Sequence, residues 1–356
     1  MKQLHIVHIL PTLNIGGAER AVVNLIAASD PKRFRYSVII LFNHRPLEKE
    51  LTARGVTVHL VEKTSLIGWG LRAKLRAKLA ELKPDLVHTH LFSPDVWGRL
   101  AAHDVGIPVL TTEHNINTAD GYIKNTLRQL LRDYSDQYVA CSESVKKYVV
   151  LTYGITKPLT VIPWGIPLQP FLNIPPVVLK QPLRLMILGR LFPQKGQDIV
   201  LEALAQLKNL TWQLELVGDG PRKDDLVRLV ETYQLTDRVR FSPATLDVPT
   251  AFSRADVVII PSRWEGLGIV AMEALAAGRI VIASAVGGLR EVITHDETGL
   301  LVAPRAADVA QVLKQVIEGP ATFRHLGEQG RQYAKEHFAL ETEVSAYESL
   351  YQSLCR

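Results

Sequence analysis

Runs of four to seven mostly aliphatic residues recur along the chain, separated by stretches in which apolar residues return every third or fourth position. The short runs predict strands at Leu4–Leu10, Tyr36–Phe42, Val56–Val61, Leu86–Thr89, Val109–Thr112 and Gln137–Cys141 in the first half. In the second half they fall at Leu183–Leu188, Trp212–Val217, Val239–Phe241, Val257–Ile260, Ile280–Ala283 and Gly299–Val302. The helical periodicity predicts helices near Gly17–Ala28, Leu47–Arg54, Arg72–Leu82, Pro94–His103, Lys124–Arg132 and Glu143–Leu151. Strand and helix alternating in this way predict parallel sheets flanked by helices. Between the halves, Pro163 to Pro182 also contains Pro167, Pro170, Pro175 and Pro176, so the stretch reads as an irregular linker. The economical architecture is α/β: two doubly wound domains facing a cleft, with ligands bound by the loops at the carboxyl ends of the strands.

With 356 residues, 47% hydrophobic and 22% charged, the chain has enough apolar material for two cores without disulfides or structural metals. Cys141 and Cys355 form neither a framework nor a ligand cluster, which suits a reducing, cytoplasmic compartment. No apolar run approaches the ~18 residues of a membrane span. His5 and His8 interrupt the first apolar run, which therefore reads as a strand and not a signal peptide. Charge is uneven: residues 1–170 carry a net +7 and residues 171–356 a net −2. A basic first half favours an anionic partner, a phosphorylated ligand or an anionic membrane surface. The chain has no zinc-finger spacing, RNA-binding aromatic signature or basic tail, so nucleic acid is not expected.

Several chemistries are missing from the sequence. There is no GxxxxGK[ST] phosphate loop, no HExxH, no GxSxG elbow and no GxGxxG after a strand. No Asp-x-Asp occurs either, so a bound diphosphate should be met by cations and backbone amides and not by a metal. The richest stretch is Pro261-Ser262-Arg263-Trp264-Glu265-Gly266-Leu267-Gly268, followed by a helical Ile269-Val270-Ala271-Met272-Glu273. A glycine-bearing turn that opens a helix leaves backbone N–H groups aimed outward, an anion site. Glu265 and Glu273 are eight residues apart, which sets the carboxylates roughly 7–12 Å apart on a helical rise. Each can either take a pair of vicinal hydroxyls, as a bidentate acceptor, or act as a solvated helix-terminal charge. Gly287-Gly288-Leu289-Arg290-Glu291 repeats the strand–glycine–helix pattern. Opposing positive charge is available on one loop, Gly189-Arg190 to Lys195-Gly196. A unit charge about 4 Å from another is worth on the order of 4 kcal/mol at an effective dielectric near 20.

Taken together, these motifs resemble the retaining nucleotide-sugar transferases of glycosyltransferase family 4, which have the GT-B fold of two Rossmann-like domains. Gly189-Arg190, Lys195-Gly196, Val217-Gly218-Asp219-Gly220, the Glu265-x7-Glu273 pair, Gly16-Gly17-Ala18-Glu19-Arg20, His88-Thr89-His90 and Thr112-Glu113-His114-Asn115 carry the likeness, which spans nearly the whole chain. The resemblance implies an acceptor-binding domain at 1–168, joined by a C-terminal helix near 340–354 that crosses back, and a donor-binding domain at 169–339. It implies that Glu273 holds the ribose and Glu265 a donor-sugar hydroxyl. Arg190 and Lys195 would neutralise the diphosphate, with Gly189, Gly218, Gly266, Gly268 and the amides of Leu267 to Ile269 assisting. Gly16 and Gly17 would let backbone approach the donor, and His114 would bond a sugar hydroxyl or a backbone group. Same-face attack with retention, no metal and a carbohydrate or lipid-linked acceptor complete the implication. The chain departs from the family at Pro163-Trp164-Gly165, where Asn is common at the middle position, and at Phe241-Ser242-Pro243-Ala244 near the base pocket.

Three further readings stay open at this level. His88 and His90 share one strand face and are either part of a metal site or pocket or core histidines. Ser65-Leu66-Ile67-Gly68-Trp69-Gly70 precedes a helix with Arg72, Lys74, Arg76 and Lys78 on one side and Leu71, Leu75, Leu79 and Leu82 on the other. It is either a domain helix or an interfacial helix on the cytoplasmic membrane face. A hydrolase using Glu265 and Glu273 as acid and base, or a non-catalytic nucleotide-sugar-binding subunit, are the rival functions.

Overall fold

The computed structural model describes residues 2–64, 70–118 and 120–355. Two compact units divide it: residues 1–165 with 340–356, and residues 166–339. In the first unit seven parallel strands stand in the order β3-β2-β1-β4-β5-β6-β7. They are β1 (Leu4–Leu10), β2 (Phe34–Ile40), β3 (Thr57–Leu60), β4 (Leu86–His90), β5 (Val109–Glu113), β6 (Gln137–Ala140) and β7 (Leu159–Val161). The second unit has six parallel strands in the order β10-β9-β8-β11-β12-β13. These are β8 (Leu183–Leu188), β9 (Trp212–Val217), β10 (Val239–Ser242), β11 (Val257–Ile260), β12 (Ile280–Ser284) and β13 (Leu300–Val302). In each sheet the winding direction reverses once, between β1 and β4 and between β8 and β11. A crevice opens at the carboxyl ends of the strands at such a reversal, the usual ligand position in a doubly wound sheet.

Both faces of the first sheet are buried, which is why its strands read as continuous apolar runs. Ile6 and Leu10 of β1, Leu86 of β4 and Leu110 of β5 lie in a core completed by Leu340, Val344, Tyr347 and Tyr351 of the C-terminal helix Leu340–Leu354. On the opposite face, Val7, Ile9 and Val87 pack with Leu71, Leu75 and Leu79 of the helix Leu71–Leu82. The second unit closes over Leu185, Ile187, Leu214, Val257, Ile259 and Ile282.

The structure corrects the sequence reading in several places. The run predicted at Tyr36–Phe42 is a strand from Phe34, because Phe34 is buried and pairs with Leu4. The edge strand β7 was not predicted: with only three residues it carries little pattern. The linker is not wholly irregular, since Leu168–Leu172 forms a short helix that buries Phe171. The segment Ser65 to Trp69 lies outside the described residues. In the helix that follows it, Leu71, Leu75 and Leu79 are at most 1% exposed, so this helix keeps its apolar side for the core. Arg72 pairs with Asp104 and Lys78 with Glu81. That packing is the domain-helix arrangement; an interfacial helix would present its leucines to lipid. Among the described residues no helix is long and apolar enough to cross a membrane.

Candidate functional site

At the second reversal, four loops leave the carboxyl ends of adjacent strands β9, β8, β11 and β12 and are stitched to one another by backbone. Gly218, after β9, has φ +152°, and a Cβ there would stand 2.0 Å from the carbonyl oxygen of Gly189 after β8. No side chain fits so close an approach, so the sequence must place glycine there. Leu191 N–H donates to the Asp219 carbonyl at 2.9 Å, and Arg222 N–H to the Leu191 carbonyl at 3.1 Å. From the loop after β8, Gln194 Nε2 donates to the Trp264 carbonyl at 3.0 Å, while Arg263 N–H donates to the Gln194 carbonyl at 2.8 Å. Gly288 N–H, after β12, reaches the Glu265 carbonyl at 3.3 Å, and a Cβ on Gly288 would lie 2.1 Å from the Gly266 carbonyl oxygen. Gly268 opens the helix Ile269–Ala276 at φ +99°.

These stitches bring the predicted residues of the second unit together. Lys195 Nζ lies 2.7 Å from Glu265 Oε2, with the two side chains 19% and 11% exposed. Ser262 Oγ donates to the same oxygen at 3.0 Å. Glu265 and Glu273 are both buried, the first in the turn and the second within the helix. Gly266, Leu267, Gly268 and Ile269 form the buried turn and first helical position between them. Arg190 is exposed, its guanidinium 5.0 Å from the centre of the Phe192 ring, and its carbonyl accepts from Gln197 Nε2 at 2.9 Å. The sequence reading assigned Lys195 and Glu265 to separate parts of a ligand, whereas here each is the other's partner. It also missed the residues that hold the loops: Gln194, Ser262, and Arg263, whose guanidinium bridges the Pro193 carbonyl and Asp198. Ser262 and Arg263 stood inside the quoted motif, but only the fold shows what they bond.

The first unit gathers a different set. Strand alternation puts His8 of β1, His88 and His90 of β4, Thr112 of β5 and His114 just beyond it on the face covered by the C-terminal helix. Register sets His8 opposite His88, and His90 opposite Thr112. His8 Nδ1 lies 2.9 Å from His90 Nε2, and His90 Nδ1 lies 2.8 Å from His114 Nε2. His88 is bonded to Tyr351 Oη through Nδ1 at 2.9 Å and to Thr112 Oγ1 through Nε2 at 2.7 Å. Burial holds His8 and His114 down to about 3, and His88 and His90 well below the usual imidazole range. All four rings are therefore neutral near neutral pH. His8, His88 and His90 offer nitrogen atoms within 4.8 Å of one another, the geometry of a candidate three-histidine metal site. Both ring nitrogens of His88 and of His90 already have protein partners, however, and an ion would have to break those bonds. His8 was the missing third histidine: 80 residues away in sequence, it joins the pair only through sheet register.

Gly16 and Gly17 begin the helix Gly17–Ala28 after β1. A Cβ on Gly16 would meet the Glu19 carboxylate at 2.4 Å, the tip of a flexible side chain. The Glu19 carboxylate also accepts from Thr12 Oγ1 at 3.1 Å. Trp164 is buried, its ring 5.6 Å from that of His114, and Gly165 N–H donates to Glu343 Oε2 of the C-terminal helix at 2.7 Å.

Known proteins resemble this chain along most of its length. Residues 15–170 match the family model for Glycosyltransferase Family 4, and residues 175–333 match that for glycosyl transferases group 1. A glycogen synthase of Mycobacterium tuberculosis is 28% identical over 81% of this chain and 73% of its own. A D-inositol 3-phosphate glycosyltransferase of Mycobacterium bovis is 30% identical over 66% of this chain and 55% of its own. Among solved structures, the Anabaena HepE protein in complex with UDP-glucose superposes with a TM-score of 0.85 at 20% identity, covering 99% of this chain and 100% of its own. Sucrose-phosphate synthase of Thermosynechococcus elongatus gives 0.82 at 22% identity, over 99% of each chain. The chain belongs to the family-4 type of glycosyltransferases and has their GT-B fold.

Proposed function

We propose that this glycosyltransferase moves a sugar, with retention of anomeric configuration and without a metal, from a nucleotide-diphosphate sugar to a carbohydrate or lipid-linked acceptor. The observation that carries the reading is the Lys195–Glu265 pair, set among loops at the carboxyl ends of β8 and β11 with Glu273 in the helix that follows. A diphosphate arriving there competes with Glu265 for the ammonium group of Lys195. The displaced carboxylate is then an acceptor for a sugar hydroxyl, while Glu273 takes the ribose diol. Lys195, Arg190 and the amides of the Leu267–Ile269 turn stabilise the charge that grows on the leaving diphosphate. Gly189 and Gly218 keep the adjoining backbone close. The acceptor oxygen bonds to the anomeric carbon on the face from which the diphosphate leaves, and its proton passes to the departing phosphate oxygen. In this reading Glu265 is a binding group and not a nucleophile. The first unit takes the acceptor, with Gly16, Gly17 and His114 as its contacts to the sugars. The Anabaena protein, solved in complex with UDP-glucose, supports the donor class.

A transfer assay in EDTA, with the anomeric configuration of the product read by proton NMR, tests the reading. A retained product at undiminished rate is expected. An inverted product, or activity that returns only with a divalent cation, contradicts it.

We also propose an anionic cytoplasmic membrane surface as a partner of the basic first unit, through the helices Tyr122–Leu130 and Glu143–Tyr153 and not through Leu71–Leu82. Tyr122, Ile123 and Leu130 are 85%, 75% and 69% exposed on the first of these and Leu151 is 75% exposed on the second. Lys124, Lys146 and Lys147 lie beside them in sequence, and exposed apolar residues rimmed by cations suit an anionic bilayer. Vesicles with anionic lipid should sediment the protein, and Ile123→Ser with Leu130→Ser should abolish that. Unchanged sedimentation of the double variant contradicts the assignment.

A further inference from the structure

The two histidine–histidine bonds join His8, His90 and His114 into a single file, and neither end of the file has a partner among the described residues. His8 Nε2 and His114 Nδ1 are both buried and unbonded. A neutral imidazole carries one N–H and one bare nitrogen. A hydrogen bond between two such rings needs a donor on one side and a bare nitrogen on the other. The connectivity Nδ1-to-Nε2, repeated twice, then allows only two states: all three rings carry the proton on Nδ1, or all three carry it on Nε2. In the first, the unpartnered N–H falls on His114, at the end of the file nearer the crevice, and the bare nitrogen on His8. In the second, the buried N–H falls on His8.

The ends differ in surroundings, and that decides between the states. His8 is 0% exposed beneath the C-terminal helix, whereas His114 is 5% exposed at the carboxyl end of the sheet beside Trp164. Each state leaves one N–H without a protein acceptor, and that N–H costs less at His114, the end nearer the crevice where water or a ligand oxygen can meet it, than at His8 beneath the C-terminal helix, so the all-Nδ1 state is favoured. We infer that His8 and His90 are positioning residues that hold His114 as a neutral ring with its proton on Nδ1, presented as a hydrogen-bond donor to an oxygen of the sugar substrate. The substrate half of this statement rests on the function proposed above; the tautomer half does not. His114 then acts by donation alone. Taking up a proton would put a cation in a file that burial keeps neutral, and the closed end at His8 has no partner among the described residues to which to pass one on. The same arrangement gives His8 and His90 a part to play: they are the means of fixing a tautomer that a lone imidazole does not hold. His88 stands outside the file, because the hydroxyls of Thr112 and Tyr351 can each donate or accept.

Long-range proton–nitrogen NMR of the full chain labelled with 15N-histidine tests the inference without substrate. At pH 7, His8, His90 and His114 should all show protonated Nδ1 and bare Nε2. Any mixture of tautomers among the three, or a common Nε2–H state, overturns it. Collapse of these signals on adding one equivalent of Zn²⁺ would assign His8, His88 and His90 to a metal and overturn it as well. In His90→Phe, His114 loses the partner that fixes it and should shift toward Nε2–H. With UDP-glucose as donor, kcat should drop roughly tenfold, the worth of about one neutral hydrogen bond, with donor KM unmoved. An unshifted His114 tautomer in that variant overturns the role of His90. If the variant does not fold, the wild-type spectrum still decides. Should the wild-type tautomers be uniform while UDP-glucose is neither bound nor turned over, the functional reading has failed and the file has not.

Discussion

Each unit builds its chemistry where its sheet reverses direction, yet the two do so by opposite means. In the second unit, glycine backbones cross at the β8, β9, β11 and β12 loops, and charge is present but already paired, Lys195 against Glu265. In the first unit side chains form the candidate site: three buried neutral histidines are linked through ring nitrogens, and a fourth, His88, is bonded to the hydroxyls of Thr112 and of Tyr351 in the C-terminal helix. A paired charge that a ligand can displace suits an ionic group such as a diphosphate. A neutral, desolvated file suits an uncharged hydroxyl, since an unpaired ion there would meet the full cost of burial. The contrast accounts for the proposed division of labour, donor diphosphate in the second unit and sugar hydroxyls in the first, without invoking the relatives.

The largest expected effect strikes the charged site. Lys195→Ala should lower turnover by ~10²–10³, as the loss of one preorganised transition-state contact does. Steady-state rates check this, and near-normal turnover would remove Lys195 from the chemistry. Next comes the role of backbone. Gly218→Ala drives a Cβ into the Gly189 carbonyl, which cannot yield as a side chain would, and should destabilise the unit by about 1–3 kcal/mol. Gly16→Ala meets only the end of Glu19, which can swing away, so its cost should stay within about 0.5 kcal/mol. Thermal melts of the two variants sharpen the comparison. If Gly16→Ala nevertheless weakens substrate binding with its melting temperature unchanged, Gly16 serves the ligand and not the fold.

The remaining prediction is a pH dependence in the first unit. Burial pushes the Glu343 carboxyl up to about 8, against the pull of the Gly165 N–H. Between about pH 4.5 and pH 8 the native state therefore holds a proton that the unfolded chain has released, so this group's contribution to stability falls as pH rises. Glu343→Gln should remove that slope, and melting temperatures of wild type and variant should diverge in the variant's favour toward pH 8. Parallel curves would place the ionised carboxylate in the fold. The histidines act with the opposite sign. With His8 and His114 held down to about 3, their share of stability is complete above pH 6.5 and is lost as pH falls toward 3.

The second unit was the more legible of the two from sequence, and the reason is physical. Its site is built from loops that each follow one strand, so the glycines, Lys195, Glu265 and Glu273 appear as contiguous motifs. Even there, the motif does not reveal that Lys195 and Glu265 pair, or that Gln194 and Arg263 tie one loop to the other. Those bonds join residues 70 apart. In the first unit, strand alternation placed His88 and His90 on one face, but His8 and Tyr351 reach them only through sheet register and the docking of the last helix. Residues 82 and 263 positions apart meet there. The edge strand β7 and the short helix in the proline-rich stretch also escaped notice, because three and five residues are too few to show a period. For the helix Leu71–Leu82 the leucines mark the apolar face, but only the fold shows that the core takes them.

The central claim, that the loops of the second unit hold a nucleotide-diphosphate sugar, is tested most directly by thermal shift. UDP, GDP, ADP and their common sugar conjugates would be compared on wild type and on Glu273→Ala, in EDTA. Ligand at 100 times Kd adds about 2.7 kcal/mol. A rise of several degrees with one nucleotide, lost in Glu273→Ala, is the predicted result. Wild type unmoved by every nucleotide, or a variant stabilised as fully as wild type, would contradict the claim.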